Sequence, residues 1–443
     1  MVGTQIRHAG HDGSKLLWVS VSSQVPENAI VIPDHLSSVS NAELFSDYII
    51  VRSKIVHRSH RPRCVAVISV FGINCGIATY TKYLCDALKS EVDELLVLAE
   101  DADNVNDEGL GYEVHRCWDR RSGDFLRLYK RIEEFSPELV IIQHEYGLFP
   151  KLNVWNTLIS QLSRWRTAVT LHTVLEHDVS NKTIHLDYIT RFLAEAPCRE
   201  LIVHTPRARQ TLRARGYSGR IHYIPHGCFP PNPSERLPIT KYGMMPDQVL
   251  FQYGFGGAHK GWDFAIDTVS LLVEKYPDII YIGIFNVSSS DRNAAYFHSL
   301  LNAIREKKLE KNVAIHRGFQ SEETLRLYLR SSRIAFFPYR APNKFWASWG
   351  ASGAIQLPLS MGIPTILSDF SAFQEFNDRL PIIRTPEEAA SVIDRILSDP
   401  AYEKSLSDTA FEIAEERRWE KVAAWYLEIT EEEDFNAKVK EAT

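Results

Sequence analysis

The sequence predicts an α/β protein with two doubly wound parallel-sheet domains that face a cleft, and with a small β-rich appendage before them. Three observations support this fold class. The chain has 443 residues, more than a single hydrophobic core usually contains. From about residue 63 onward, short apolar runs alternate with longer segments of helical period, as in parallel sheets with helical crossovers. A proline-rich loop at residues 229–238 divides this alternation into two series, which we assign to domains at residues 61–230 and 245–400.

The strand candidates are continuous apolar runs, which are typical of strands buried on both faces of a sheet. In the first series they occupy residues 64–70, 95–99, 139–142, 168–171, 201–203 and 221–224. In the second series they occupy residues 249–253, 279–285, 313–315, 334–338 and 364–367. Helices are predicted between them, for example at residues 76–88, 125–135, 262–276 and 322–330. A C-terminal helical segment, residues 401–443, is expected to pack on the outside.

The first 60 residues do not share this pattern. Short strands are predicted at residues 16–21, 29–32 and 48–55, separated by prolines and a serine cluster. They indicate a small β-rich appendage to which the sequence assigns no role.

Composition and charge exclude several function classes. The 50 basic and 56 acidic residues give a net charge of -6, which argues against a protein that coats nucleic acid. No run of 18 apolar residues occurs, and the first 15 residues lack the apolar middle of a secretion signal, so we expect a cytoplasmic protein. None of the 6 cysteines has the spacing of a zinc or redox pair, so we expect reduced, mostly buried thiols and no bound metal.

Candidate site residues in the first domain follow its strands. Gly72 and Gly76 lie after the first strand, where a helix would direct its free N–H groups into the cleft. His144 with Glu145, and His172, each follow a further strand. An imidazole at such a strand end can accept a proton or bind a sugar hydroxyl, although a buried structural histidine is the alternative for each.

The second domain opens with three glycines at a strand end and then a lysine, a pattern suited to binding a diphosphate. A second cradle of small residues lies at residues 349–355, just beyond an arginine that is a candidate bidentate phosphate ligand. The donor-binding candidates are Gly254, Gly256, Lys260, Arg340, Ser352 and Gly353.

The order of these motifs resembles the GT-B glycosyltransferases, specifically the retaining enzymes of glycosyltransferase family 4, also called group 1. The resemblance spans roughly residues 63 to 400 and rests on VAVISVFGINCGIATYT, IIQHEYGLF, TLHTVL, IVHTPRA, IPHG, YGFGGAHKG, FFPYR and SGAIQLPLSMGIPTILSD. It implies two Rossmann-like domains, the first binding the acceptor and the second the nucleotide-sugar donor, with no essential metal or cofactor. It also implies that Gly76 lies beside the donor phosphates, His172 beside the transferred sugar and Lys260 on the diphosphate.

The chain departs from the family pattern at three places. Trp349 and Leu357 stand where the family has two glutamates, and Phe255 stands where it has an arginine before the lysine. The identity of the donor is therefore open. Candidates for the missing positive charge are Arg340, His259 and Lys344.

We therefore expect a metal-independent hexosyltransferase that uses a nucleoside-diphosphate sugar and a hydroxyl acceptor, with His172, His144 and Lys260 in catalysis and His144 and Glu145 near the acceptor. The acceptor is expected to be a glycan or a lipid-linked saccharide. A sugar-nucleotide epimerase of the same fold, or a non-catalytic glycan or nucleotide-sugar binding protein, are the alternatives. Contact with anionic lipid at the inner face of the membrane is expected through Arg207, Arg209, Arg213 and Arg215, with a solvated helix face as the alternative reading.

Overall fold

The computed structural model describes residues 4–7, 16–19, 29–31, 49–51, 61–103, 105, 107–175, 186–187, 189–191, 199–235, 248–286, 293–341 and 350–429. The chain divides into two compact units, residues 1–60 and 61–443. In the first unit, strand β1 (Thr4–Arg7) pairs antiparallel with β2 (Leu16–Val19), and β3 (Ala29–Val31) pairs parallel with β4 (Ile49–Val51). Each of the three strands predicted there overlaps an observed strand.

The second unit begins with a sheet of seven parallel strands. These are β5 (Cys64–Ser69), β6 (Glu94–Glu100), β7 (Glu113–Trp118), β8 (Leu139–His144), β9 (Thr167–Leu171), β10 (Arg199–Val203) and β11 (Ile221–Tyr223). Their order across the sheet is β11-β10-β9-β8-β5-β6-β7. The chain therefore winds outward in both directions from the neighbouring strands β5 and β8, where open α/β sheets place their ligands.

Four helices of this N-terminal domain are α1 (Gly76–Leu88), α2 (Leu126–Phe135), α3 (Leu152–Gln161) and α4 (Pro206–Ala214). The sequence fixes the start of α4 locally. Pro206 occupies its first turn, and the Thr205 hydroxyl accepts a hydrogen bond from the Ala208 N–H at 3.1 Å.

A second sheet of six parallel strands forms the C-terminal domain. Its strands are β12 (Val249–Phe255), β13 (Ile280–Asn286), β14 (Val313–Arg317), β15 (Ile334–Phe337), β16 (Thr365–Ser368) and β17 (Ile382–Ile383), in the order β14-β13-β12-β15-β16-β17. Its helices are α5 (Trp262–Leu272), α6 (Ala294–Glu306), α7 (Glu322–Arg330), α8 (Gln356–Ser360) and α9 (Pro386–Ser398). Here the winding reverses between β12 and β15. The predicted fold class, two doubly wound parallel-sheet domains facing a cleft, is confirmed.

The C-terminal helical segment consists of two helices, α10 (Pro400–Glu416) and α11 (Trp419–Glu428), rather than one outer helix. Helix α10 packs on the C-terminal domain, whereas α11 returns to the N-terminal domain. The side chains by which α11 enters that core are Trp419, Val422, Ala423, Tyr426 and Leu427. Two hydrogen bonds join the returning chain to the outgoing linker, Cys228 N–H to the Arg417 carbonyl at 2.7 Å and Trp419 N–H to the Cys228 carbonyl at 3.1 Å.

Within the described ranges, the structure contains no helix that is both long and apolar enough to cross a membrane. The same part of the chain contains no group of three or more His, Cys, Asp or Glu side chains placed to hold a metal ion.

Candidate functional site

The carboxyl edges of the two sheets face each other, and close approaches at Gly76 and Gly350 are among the contacts between them. A Cβ atom built on Gly76, at the start of α1, would lie 3.9 Å from the Phe255 ring at the end of β12. A Cβ built on Gly350 would overlap the backbone of His172, which follows β9, and would lie 2.8 Å from its carbonyl carbon. Gly76 and His172 therefore lie at the same cleft as the turn after β12.

Three of the predicted donor-binding residues meet around Tyr339, which follows β15. The Lys260 ammonium nitrogen lies 3.8 Å from the centre of the Tyr339 ring. The Tyr339 hydroxyl is 3.1 Å from the Ser352 hydroxyl oxygen. A Cβ built on Gly254 would lie 3.8 Å from Lys260 Cε and 3.9 Å from the Tyr339 hydroxyl. Gly254, Lys260 and Ser352 thus form one cluster at the switch point of the second sheet.

The turn that carries Lys260 is held by buried polar groups. The side-chain amide nitrogen of Gln252 donates to the Lys260 backbone carbonyl at 2.8 Å, and the Tyr281 hydroxyl donates to the side-chain amide oxygen of Gln252 at 2.6 Å. Gly261 has a φ of 67°, which favours glycine, and a Cβ there would overlap the Pro338 carbonyl. The Lys260 ammonium that this turn positions packs over the Tyr339 ring at 3.8 Å.

Arg340 follows Tyr339 directly and bonds the turn that carries Lys260. Its guanidinium forms an ion pair with Asp263 on α5, and its backbone N–H donates to the His259 carbonyl at 2.8 Å. His259 is largely buried, and burial together with the nearby Lys260 ammonium lowers its pKa to about 3. Both effects favour the neutral imidazole of His259, and its part in supplying the missing positive charge stays a prediction.

The remaining residues of the two predicted cradles have structural contacts. The Gly256 N–H donates to the Asn286 carbonyl at 2.6 Å, so this N–H is already used. Gly353 starts a 3-10 turn directly after Ser352, and a Cβ there would lie 3.2 Å from the His226 ring nitrogen Nε2. Leu357 is buried in the apolar core of the C-terminal domain. Trp349 and Lys344 lie outside the described residues.

His172 is held by a residue that the sequence reasoning missed. Its Nε2 lies 2.8 Å from the amide oxygen of Gln143 on β8. An amide oxygen only accepts hydrogen bonds, so Nε2 carries the hydrogen and Nδ1 retains its lone pair. Burial, reinforced by neighbouring histidines, lowers the pKa of His172 well below its usual value. His172 is therefore a neutral imidazole in the physiological range.

His144 points to the opposite face of β8 from Gln143, because neighbouring residues of a strand alternate. Its ring stacks on Phe149 at 5.7 Å and packs edge-on against Trp155 at 4.7 Å, and the side chain is fully buried. The predicted catalytic and acceptor roles of His144 stay predictions.

Glu145 links the ends of two strands. Its carboxylate accepts a hydrogen bond from the Thr173 hydroxyl at 2.6 Å and another from the Tyr146 N–H at 2.9 Å. These bonds connect the segments after β8 and β9. The part of Glu145 in acceptor binding stays a prediction.

Intramolecular contacts of Arg213 and Arg215 bear on the predicted contact of these four arginines with lipid. Arg213 donates to the carbonyls of Tyr217 and Gly219, both at 2.8 Å. Arg215 pairs with Asp187 at 3.0 Å. Arg207 is exposed and Arg209 is partly exposed on the same helix. Contact of this helix with anionic lipid stays a prediction.

Comparison with known proteins supports the resemblance inferred from the motifs. Residues 75–228 match the family described as Glycosyltransferase Family 4. The comparison with curated proteins gives no match. The family match over residues 75–228 confirms the resemblance to group 1 glycosyltransferases of the GT-B fold.

Solved structures show the same fold over most of the chain. Sucrose-phosphate synthase from Thermosynechococcus elongatus is 18% identical with a TM-score of 0.63, covering 86% of this chain and 99% of its own. Anabaena HepE in complex with UDP and glucose is 16% identical with a TM-score of 0.64, covering 82% of this chain and 98% of its own. Trehalose-6-phosphate synthase OtsA is 14% identical with a TM-score of 0.60, covering 84% of this chain and 99% of its own. At these identities the similarity shows the GT-B fold.

Proposed function

We propose that this protein is a glycosyltransferase that moves a hexose, with retention, from a nucleoside-diphosphate sugar to a hydroxyl group of a glycan or lipid-linked saccharide. The observation that carries the proposal is the cluster of Lys260, Gly254, Tyr339 and Ser352 at the switch point of the second sheet, opposite the start of α1.

The cluster suits the diphosphate of a donor because it combines a fixed cation with close backbone approach. Gly254 has no side chain to keep a phosphate away from the Lys260 ammonium. The opposing helix α1 has 13 residues and starts at Gly76, and no side chain caps this end. Because Gly76 lies opposite Phe255 at the cleft, the first N–H groups of α1 are directed toward the cleft. A diphosphate between Lys260 and Gly76 would be bound from both domains.

The same arrangement supports transfer rather than binding alone. When the bond from the sugar C1 to the phosphate oxygen breaks, negative charge develops on the leaving diphosphate, where Lys260 and the N-terminus of α1 stabilise it. The acceptor oxygen forms its bond to C1 on the same face, and its proton passes to the departing phosphate oxygen. Neutral His172 presents Nδ1 as a hydrogen-bond acceptor for a sugar hydroxyl, so its role is to orient the sugar.

The first donor to test is UDP-glucose, because solved structures of Anabaena HepE, which shares the fold, are described as complexes with UDP and with UDP-glucose. Binding of UDP and UDP-glucose would be measured by calorimetry, and transfer by the release of UDP in the presence of candidate acceptors.

The decisive variant is Lys260→Met, which removes the charge and keeps the length of the side chain. Loss of one charge-assisted bond should weaken UDP binding by about 10- to 150-fold and abolish transfer, with the melting temperature unchanged. The control is Lys311→Met, an exposed lysine just before β14 and thus at the opposite edge of the sheet. Wild-type affinity and turnover in Lys260→Met would refute the proposal.

Two further measurements separate the alternatives. Incubation with the donor alone, followed by NMR of the sugar, would show an epimerised product if the protein is an epimerase. Tight UDP-glucose binding without transfer to any acceptor or to water would indicate a binding protein. Transfer whose product keeps the anomeric configuration of the donor is the expected result.

A further inference from the structure

Tyr80 is the centre of an aromatic cluster directly behind His172. It lies one turn after Gly76 on α1, and its side chain is 2% exposed. Its ring packs edge-on against His172 at 4.9 Å and against His226 at 5.0 Å, and lies 4.9 Å from the His204 ring. These three histidines follow the neighbouring strands β9, β10 and β11, so one tyrosine ring supports three strand ends at the cleft.

The hydroxyl group of Tyr80 is held by the returning helix α11. It lies 3.1 Å from the Tyr426 hydroxyl, which in turn lies 2.8 Å from the Thr170 hydroxyl on β9. The Trp419 ring, at the start of α11, packs edge-on against the Tyr80 ring at 5.0 Å. The Tyr80 ring is therefore fixed at its hydroxyl end and along its side by residues more than 300 positions later in the chain.

His172 needs such support because the torsion that turns an imidazole about its Cβ–Cγ bond is broad and roughly two-fold. The hydrogen bond from Nε2 to Gln143 fixes one edge of the ring. The Tyr80 ring, nearly perpendicular at 84°, occupies the space into which the imidazole would otherwise turn. Together the two contacts determine where Nδ1 points.

We propose that Tyr80 is a positioning residue that fixes the orientation of the His172 imidazole, and that helix α11 locks Tyr80 in place through Tyr426 and Trp419. This inference rests on the proposed function for the role of His172 toward the sugar. It makes the last described helix a part of the site, since Trp419 at the start of α11 also packs against His226 at 5.6 Å.

The test compares Tyr80→Phe and Tyr426→Phe, which both remove the hydrogen bond between the two hydroxyls, and Tyr426→Phe also removes the bond to Thr170. Thr81→Val is the matched control, because it removes a buried hydroxyl from the next residue of α1, bonded to Ser69 at 2.7 Å and not to the histidines. We expect kcat for UDP-glucose to fall about fivefold in Tyr80→Phe, the effect of one hydrogen bond, and at least as much in Tyr426→Phe, with KM for the donor unchanged. The double variant should lose no more than Tyr426→Phe alone, because that substitution already removes the bond to Tyr80.

A second readout is independent of turnover. In protein labelled with ¹⁵N-histidine, the ring nitrogens of His172, assigned with a His172→Gln variant, report its tautomer and hydrogen bonding. We expect their chemical shifts to move in Tyr80→Phe and Tyr426→Phe and to stay in place in Thr81→Val.

The two readouts separate the inference from the function on which it rests. Unchanged His172 shifts in both tyrosine variants would overturn the positioning role even if the protein transfers sugar. Equal losses of kcat in the tyrosine variants and in Thr81→Val would also overturn it, since a general loss of packing would then explain the effect. Shifted His172 signals in a protein that binds no nucleotide would refute the proposed function and leave the positioning geometry standing.

Discussion

Replacing Gly350 by alanine tests whether the two domains must meet closely at the site. The alanine Cβ would overlap the His172 carbonyl oxygen and lie 2.8 Å from the carbonyl carbon, where ordinary contacts are 3.4 Å or more. One of the two segments must therefore move by roughly 1 Å or more to restore normal packing. Because a misplacement of about 1 Å can cost about 100-fold in rate, we expect kcat/KM for transfer to fall about 100-fold, or about 2.7 kcal/mol.

The overall stability should change far less, because the overlap lies between two domains that each keep their own core. The matched control is Gly147→Ala, an exposed glycine where an added Cβ meets nothing within 4 Å and where φ is not positive. The assay measures UDP release and the urea midpoint for both variants. If Gly350→Ala retains the kcat/KM of Gly147→Ala, the close approach of residue 350 to His172 is not required and the reasoning fails.

Three further predictions concern stability. Gly261→Ala should lower the free energy of unfolding by at least about 1–2 kcal/mol in urea, because its left-handed φ of 67° disfavours a side chain. Arg417→Met should cost about 3–5 kcal/mol, because it leaves the buried Glu375 carboxylate, 3.1 Å from the guanidinium, without its cation, and Glu375→Gln should cost a similar amount. Burial lowers the pKa of His204 to about 4 and of His226 to about 3, so the unfolded state binds more protons below pH 6.5. The free energy of unfolding should therefore be constant above pH 7, be lower by about 2 kcal/mol per histidine at pH 5, and fall further toward pH 4. When the free energy of unfolding is measured in urea at each pH, replacing either histidine should make its dependence on pH weaker.

The sheets could be predicted because strands buried on both faces are continuous apolar runs. The predicted run at residues 64–70 corresponds to β5, and predicted helices at residues 76–88 and 322–330 match α1 and α7. The strand β7 was missed because it lies at the edge of its sheet, where Glu113, His115 and Arg116 face partly exposed surroundings and interrupt the apolar run. Strand β17 has only two residues and gives no periodic signal.

The sequence predicted those parts of the candidate site that depend on residues close together in the chain. A glycine turn at a strand end followed by a lysine is a local pattern, and the structure does bring Gly254, Lys260 and Ser352 together. Tyr339 could have been predicted as a site residue, because it is an aromatic residue directly after the end of a strand at the switch point. Only the neighbouring Arg340 was predicted there. The pairing of Arg340 with Asp263 depends on the position of α5, which the sequence alone does not give, and the role of Arg340 at the phosphate stays a prediction.

The partners of His172 show why long-range parts of a site escape sequence reasoning. The segment LVIIQH places both Gln143 and His144 at the end of β8. Their side chains point to opposite faces of the sheet, and only one of them faces the residue after the next strand. Because every residue of this strand is buried, the sequence does not show which one that is. Helix α11 has a helical pattern that fits packing on either domain. Its return to the N-terminal domain depends on the break at residues 417–418 and on the hydrogen bonds to Cys228. A site assembled from both domains is therefore determined by the chain crossing twice between them, and the second crossing brings Tyr426 and Trp419 to Tyr80.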